Sequence, residues 1–289
     1  MQTNEASITA EWTALMRALG DLGITTTRAF SDPLAAKLLS GRTTAVYKVA
    51  QMLTGIGATP RLRRRFGPIM DTQTLRTLAI DDALAQCLTP RGAARLDQLV
   101  ILGAGLDARA FRLAGLSGVD AFEVDHPATQ AYKRTRTKGR VPCSRSLHFV
   151  AVDFERDHLH EQLVAAGHDP ARRSAWIWEG VIMYLSDSAL RATLESIAAL
   201  SAAGSTLMVQ YREPPAAEDR MERRMRAVQR RRGEPQIGLR TRTTMRVELE
   251  RVGFHVILDE GADDWAARFG ASPPLSIARP ARLLLSTIQ

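Results

Sequence analysis

The chain has 289 residues, 45% of them hydrophobic, and two cysteines, Cys87 and Cys143, in no C-x-x-C arrangement. That length and apolar content build a proper core, and the cysteine count excludes a disulfide framework or a cysteine zinc site and suits a reducing, cytoplasmic setting. The formal net charge of +8 permits anionic partners without choosing among them, and because only Lys37, Lys48, Lys133 and Lys138 are lysines, the arginine excess follows as readily from genome composition as from function.

No secretory signal is read at the start, where Glu5, Glu11 and Asp21 interrupt the apolar positions, and no run of about 20 apolar residues occurs that could span a bilayer. From Ser7 to Leu19 the apolar residues Ile8, Trp12, Leu15, Met16 and Leu19 recur at helical spacing, which predicts an amphipathic helix. Asp32-Pro33 opens a second helix through Leu39, with Asp32 as cap, and a third runs from about Thr43 to Leu53. After a glycine-rich link and the basic run Arg61 to Phe66, Asp71 to Leu88 reads as a long helix ending before Thr89-Pro90. Residues 1–95 therefore form a helical section without a convincing strand.

Leu99 to Leu102 is a short apolar run, as expected of a strand covered on both faces, and it stops at Gly103-Ala104-Gly105. Glycines at both positions allow a tight turn and close approach of a ligand, and Asp107 to Leu113 fits a helix whose free amides face the space above the strand. Alone, such a turn also serves tightness only. Val119 to Val124 is a second strand ending at Asp125, 22 residues after Gly103, near the spacing at which an acid accepts from ribose hydroxyls. Alternation does not separate Asp125 from Glu123, and an acid capping the helix that starts at His126-Pro127 fits the same residue.

The alternation continues with a helix over Pro127 to Lys138, a strand over Leu147 to Val152 ending in Asp153, and a helix over Asp157 to Ala166. A strand over Ala175 to Trp178 then ends in Glu179-Gly180, Asp187 caps a helix to Ala202, and a strand covers Thr206 to Tyr211. This rhythm predicts an α/β fold, a Rossmann-like doubly wound sheet over 96–289, mostly parallel, with its functional edge at the carboxyl ends of the strands. Strands at Phe254 to Leu258 and Arg282 to Thr287 close it, the last antiparallel. Between them and the core, residues 213–246 carry Arg223, Arg224, Arg226, Arg230, Arg231 and Arg232, either a solvated helix face or an inserted lid over the strand ends. One domain over 1–289 is the expectation.

Taken in order, Arg28-Ala29, Asp32-Pro33-Leu34-Ala35, Arg76-Thr77 with Asp81-Asp82, GAGLDARAFRL from Gly103, Phe122 to Pro127, Val152-Asp153-Phe154 and Glu179 to Leu185 resemble the leucine carboxyl methyltransferase-like family of class I S-adenosylmethionine-dependent O-methyltransferases, especially its bacterial branch. The resemblance implies S-adenosylmethionine as cofactor. It implies Arg76 at the cofactor carboxylate and the turn Gly103 to Gly105 beneath it; Arg28 is either a second partner for that carboxylate or one half of a structural ion pair. It further implies Asp125 at the ribose, Asp153 and Phe154 around the adenine, and Glu179 beside the cofactor. Phe154 stands where leucine is common, and the stretch between Arg28 and Asp32 is shorter than usual. The acceptor implied is a small, anionic molecule of secondary metabolism, methylated on a carboxylate or on a phenol or hydroxyl.

Tyr184 and Arg212 are the candidates for touching that acceptor, with Arg109 and Arg112 as further cations and His126, His148 or Tyr184 as bases if a hydroxyl must be deprotonated. No residue is assigned as certainly catalytic, because methyl transfer from a sulfonium is mainly positioning. Asp157-His158-Leu159-His160 lacks a third ligand nearby, so no metal is expected. A nicotinamide-dependent oxidoreductase is the alternative, since Gly103 to Ala108 also satisfies G-x-G-x-x-A. A nucleic-acid partner is disfavoured, and the oligomeric state is not legible.

Overall fold

In the computed structural model, which describes residues 8–27, 30–89, 95–215, 223, 227 and 236–289, seven strands form one sheet. They are β1 (Gln98–Leu102), β2 (Asp120–Asp125), β3 (Ser146–Ala151), β4 (Ser174–Trp178), β5 (Thr206–Arg212), β6 (Phe254–Gly261) and β7 (Ala281–Ile288), in the spatial order β3-β2-β1-β4-β5-β7-β6. The first five run parallel, and β7 is antiparallel to both β5 and β6. The chain moves outward from β1 to β3 and then returns to lay β4 on the other side of β1. A crevice opens where the order reverses, at the carboxyl ends of β1 and β4.

The continuous apolar runs of β1 and β4 follow from burial on both faces. In register, Val100 lies between Phe122 and Trp176, and alternate residues feed opposite cores. Val100, Leu102, Trp176 and Trp178 pack with helices α6 (Leu159–Ala165), α7 (Asp187–Ala199) and α8 (Arg242–Arg251). Leu99, Ile101, Ala175 and Ile177 pack with α3 (Thr59–Leu88) and α9 (Ala262–Phe269). A third cluster joins α1 (Ile8–Asp21) through Ala14, Leu15 and Ala18 to Leu106 and Ala108, which seats the N-terminal helix beside the turn after β1. The remaining helices are α2 (Gly41–Gly55), α4 (Arg109–Arg112) and α5 (Pro127–Thr137).

Several boundaries differ from the sequence expectation. Helix α3 begins at Thr59, not Asp71: Pro60 suits its first turn, the arginine run is helical, and Pro68 is tolerated inside it. Asp71 accepts instead from Thr25 Oγ1 (2.5 Å) and the Thr26 amide (3.0 Å), pinning the preceding loop to the middle of α3. The Asp32 segment makes only a 3-10 turn, Ala35–Leu38, with Asp32 buried and accepting from the Ala35 amide. Ser186, not Asp187, caps α7, because its hydroxyl reaches the Ala189 amide at 3.2 Å. Helix α9 was not foreseen. Gly261 donates to Asp264 at 2.8 Å at its start, and Gly270 ends it with φ +63°.

The proposed lid is corrected in part. Residues 242–246 belong to α8, which packs on β6 and α7. Arg223 is helical and exposed, whereas Arg224, Arg226, Arg230, Arg231 and Arg232 lie outside the described residues, as do Arg28 and Ala29. Among the described residues no helix is long and apolar enough to cross a membrane.

Candidate functional site

The turn after β1 is shaped by its glycines. Gly103 has φ +66°, and a Cβ there would fall 2.0 Å from Val181 Cγ2, so the turns following β1 and β4 touch where only glycine fits. Gly105 (φ +46°) donates its amide to Asp125 Oδ2, while Asp125 Oδ1 accepts the His126 amide at 2.6 Å. The acid at the end of β2 thus holds the glycine turn of β1. Burial pushes the Asp125 carboxyl above its ordinary value in spite of those two amides.

Glu123, the competing acid, is settled by packing. It is fully buried and meets Lys133 Nζ of α5 at 2.6 Å, away from the crevice. The cap of α5 is His126, whose Nδ1 accepts from the Ala128 amide at 3.3 Å.

Glu179, just past β4, is held by two arginines. Arg76 Nε reaches Oε1 at 2.7 Å, an Arg109 terminal nitrogen reaches Oε2 at 2.8 Å, and Gln73 Nε2 lies 3.3 Å from Oε1. Burial would raise its pKa, but Arg109 and Arg76 hold it well below the usual carboxylate range. The network continues from Arg109 to Asp107 and Asp81, from Asp81 to Arg112 (2.6 Å), and through Asp32 to Arg17 (2.8 Å). Four arginines balance four carboxylates, so the buried charge is compensated. Arg109 and Arg112 are therefore structural partners of acids rather than acceptor-binding cations, and neither lines the cavity described next.

A cavity of about 600 Å³ opens at this edge, lined by Arg76, Gly103, Gly105, Asp125, Asp153, Phe154 and Glu179 together with Tyr184 and Arg212. Asp153 closes a turn after β3, its Oδ1 accepting the Glu155 amide at 3.1 Å. Tyr184 sits in the 3-10 turn Ile182–Tyr184, and Arg212 ends β5 with a terminal nitrogen on the Ile277 carbonyl at 3.1 Å. Residues 236–241 cross between them: the Gly238 amide bonds Met183 O (2.9 Å), the Arg240 amide bonds Arg212 O (3.0 Å), and Gln236 reaches the cavity. His148 is elsewhere, stacked on Phe122 at 4.8 Å.

Sequence reasoning missed the contribution of α1 and α3 to this wall, namely Trp12, Met16, Arg17, Thr72 and Gln73. The signal was the i, i+4 pair Trp12 and Met16, read there as an anonymous apolar face. Among the described residues no group of three or more His, Cys, Asp or Glu is placed to hold a metal.

The leucine carboxyl methyltransferase family model matches residues 10–198, and the chain belongs to that family. A relative from Frankia alni, named a putative S-adenosyl-L-methionine-dependent methyltransferase, is 36% identical over 62% of this chain and 59% of its own length. A second so named, from Mycolicibacterium paratuberculosis, is 39% identical over 56% of this chain and 51% of its own. The chain thus spans between a half and three-fifths of the curated relatives it matches. In fold it is similar to the CurJ carbon methyltransferase, with a TM-score of 0.52 and 12% identity over 96% of this chain and 90% of that one. These likenesses do not support the nicotinamide-dependent oxidoreductase reading of the glycine turn.

Proposed function

We propose that this chain is an S-adenosylmethionine-dependent methyltransferase whose acceptor is an oxygen of a small, anionic molecule of secondary metabolism, a carboxylate or else a phenol or hydroxyl. One observation supports it above the rest: glycine turn, strand-end acids and Arg76 converge from five separate stretches of chain on one cavity.

The donor set fits the cofactor chemically. Asp125 spends one lone pair of each oxygen on an amide and keeps others for the vicinal ribose hydroxyls. Arg76 spends Nε on Glu179, and its terminal nitrogens would hold the cofactor carboxylate in the bidentate manner. Asp153 would accept from the adenine amino group, and Phe154 would lie against the ring. Glu179, with one oxygen on Arg76 and the other on Arg109, orients Arg76 and stands beside the cofactor on the same wall.

The bound sulfonium supplies a methyl group already activated for transfer, so the chain has to hold the acceptor oxygen in line and exclude water. A carboxylate is ionised at neutral pH and needs no base. Arg212 supplies the matching charge, and Tyr184 lines the same cavity. His126 is a poor base here, because its Nδ1 accepts from the Ala128 amide and the proton is left on Nε2.

Calorimetric titration with S-adenosylhomocysteine tests the reading. Binding by the wild type, weakened about tenfold or more in Asp125→Ala, is expected from loss of a charge-assisted acceptor. A well-folded wild type that binds none would overturn it; once binding is seen, mass spectrometry on a panel of carboxylic acids and phenols identifies the acceptor class.

A further inference from the structure

Helix α2 buries the wrong face for a helix packed on its own protein. Thr43 is buried, while Val46, Val49, Met52 and Ile56, one helical stripe running off the end of α2, are exposed by 47%, 55%, 62% and 76%. Neighbouring sequence is purely cationic: Lys37, Arg42, Lys48, Arg61, Arg63, Arg64 and Arg65 are all exposed, and no acid occurs between Asp32 and Asp71. Phe66, directly after the arginine run, is 42% exposed. Seven of the 39 basic residues thus stand, without an acid among them, in the stretch where the apolar stripe is bare.

We propose that α2 and the first turns of α3 dock on an anionic lipid bilayer, with the apolar stripe in the headgroup boundary and the arginines and lysines at the lipid phosphates. An apolar face rimmed by basic side chains meets both needs only at such a surface. A second copy of the chain fits worse, because a two-fold contact through this face would set the same cations against each other. Nucleic acid would neutralise the arginines but leave Val49, Met52 and Ile56 in water. The surface lies on the helices that lead to the cavity: α3 carries Phe66 on the basic segment and Gln73 and Arg76 on the cavity wall.

The test sediments the purified 289-residue chain with vesicles of phosphatidylglycerol and phosphatidylcholine in equal parts, beside phosphatidylcholine alone. Expected are binding to the anionic vesicles only, weakening as salt is raised, and a drop of about tenfold in partitioning for V49D/M52D and for R64E/R65E. All these side chains are exposed, so melting temperature and S-adenosylhomocysteine affinity should stay as in the wild type. Absence of binding, or equal binding to neutral vesicles, would overturn the proposal. So would a concentration-dependent dimer that V49D dissolves, which would assign the face to a second copy. DNA binding lost in R64E/R65E but kept in V49D/M52D, without vesicle binding, would assign the cations to nucleic acid.

Discussion

Arg76 donates through Nε to Glu179 Oε1 at 2.7 Å, across 103 positions of sequence, and so ties the longest N-terminal helix to the end of β4. The contact is nearly dry, and the other Glu179 oxygen holds Arg109, which is itself buried. Glu179→Gln keeps the shape but leaves two guanidinium groups short of one charge. Breaking a buried pair on one side costs about 3–5 kcal/mol, so denaturant unfolding should show a loss of that order. Affinity for S-adenosylhomocysteine should fall about tenfold as Arg76 loses its aim. Arg76→Lys should lose affinity with less loss of stability, because the charge stays but the fork does not. Unchanged affinity in both variants would remove Arg76 from the cofactor site.

At Gly103 two separate costs meet. An alanine would adopt φ +66°, about 1–2 kcal/mol against an L-residue, and its Cβ would stand 2.0 Å from Val181 Cγ2. Gly103→Ala should therefore destabilise by about 2–4 kcal/mol once overpacking is added. Pairing it with Val181→Ala should recover the steric part alone. Gly55 offers the contrast: it is helical, with nothing within 4 Å of a Cβ, so Gly55→Ala should stabilise by about 0.5–1 kcal/mol. Urea midpoints check all three.

Much of the site was legible because it is local. Leu99 to Leu102 with Gly103 and Gly105 announces a buried strand and its turn within seven residues, and Asp125 follows at a set distance. The arginine network was not, because nothing in the sequence says that Arg109 answers Asp81 and Glu179 rather than a ligand; that is decided by where α3 and α4 meet. Glu123 and Asp125 share a strand face, so their roles part only through Lys133 on α5. The start of α3 lies before the expected Asp71 because a long helix packed on α1 absorbs Pro68, a residue that disfavours helix interiors. Exposure of Val49 and Met52 is invisible for a similar reason, since periodicity shows that a helix has an apolar face but not whether that face is covered.

Glu123 and Lys133 form a pair buried on both sides, and burial pushes the Glu123 carboxyl up to about 7 although Lys133 pulls against it. Lys133→Met leaves that carboxyl alone. The loss should be about 3–5 kcal/mol at pH 8, where an unpaired carboxylate would have to be charged, and smaller at pH 5, where it takes a proton. Glu123→Leu combined with Lys133→Met should return most of the stability, because an apolar pair needs no desolvated charge. A double-mutant cycle at both pH values measures this, and a cycle with no coupling would show that the two groups do not interact.

His168 supplies the opposite pH dependence. Its ring lies 5.5 Å from Phe122 and 5.3 Å from Trp176, with Nε2 at 3.0 Å from Ser174 Oγ, and burial pushes its pKa down to about 4 from the ordinary 6.5. The unfolded chain therefore binds a proton at a pH where the folded one does not. Its contribution is complete above pH 6.5 and is lost as pH falls from there toward 4, by about 1.4 kcal/mol per pH unit. Glu123 acts the other way, since its raised pKa favours the folded state at lower pH and that advantage fades as pH rises toward 7. The two slopes partly cancel in the wild type, so the measurement is a difference: unfolding free energy at pH 5 and pH 7.5 for the wild type and for His168→Gln. The wild type should lose about 2 kcal/mol more on acidification than the variant does. Equal losses would place the His168 ring in contact with water.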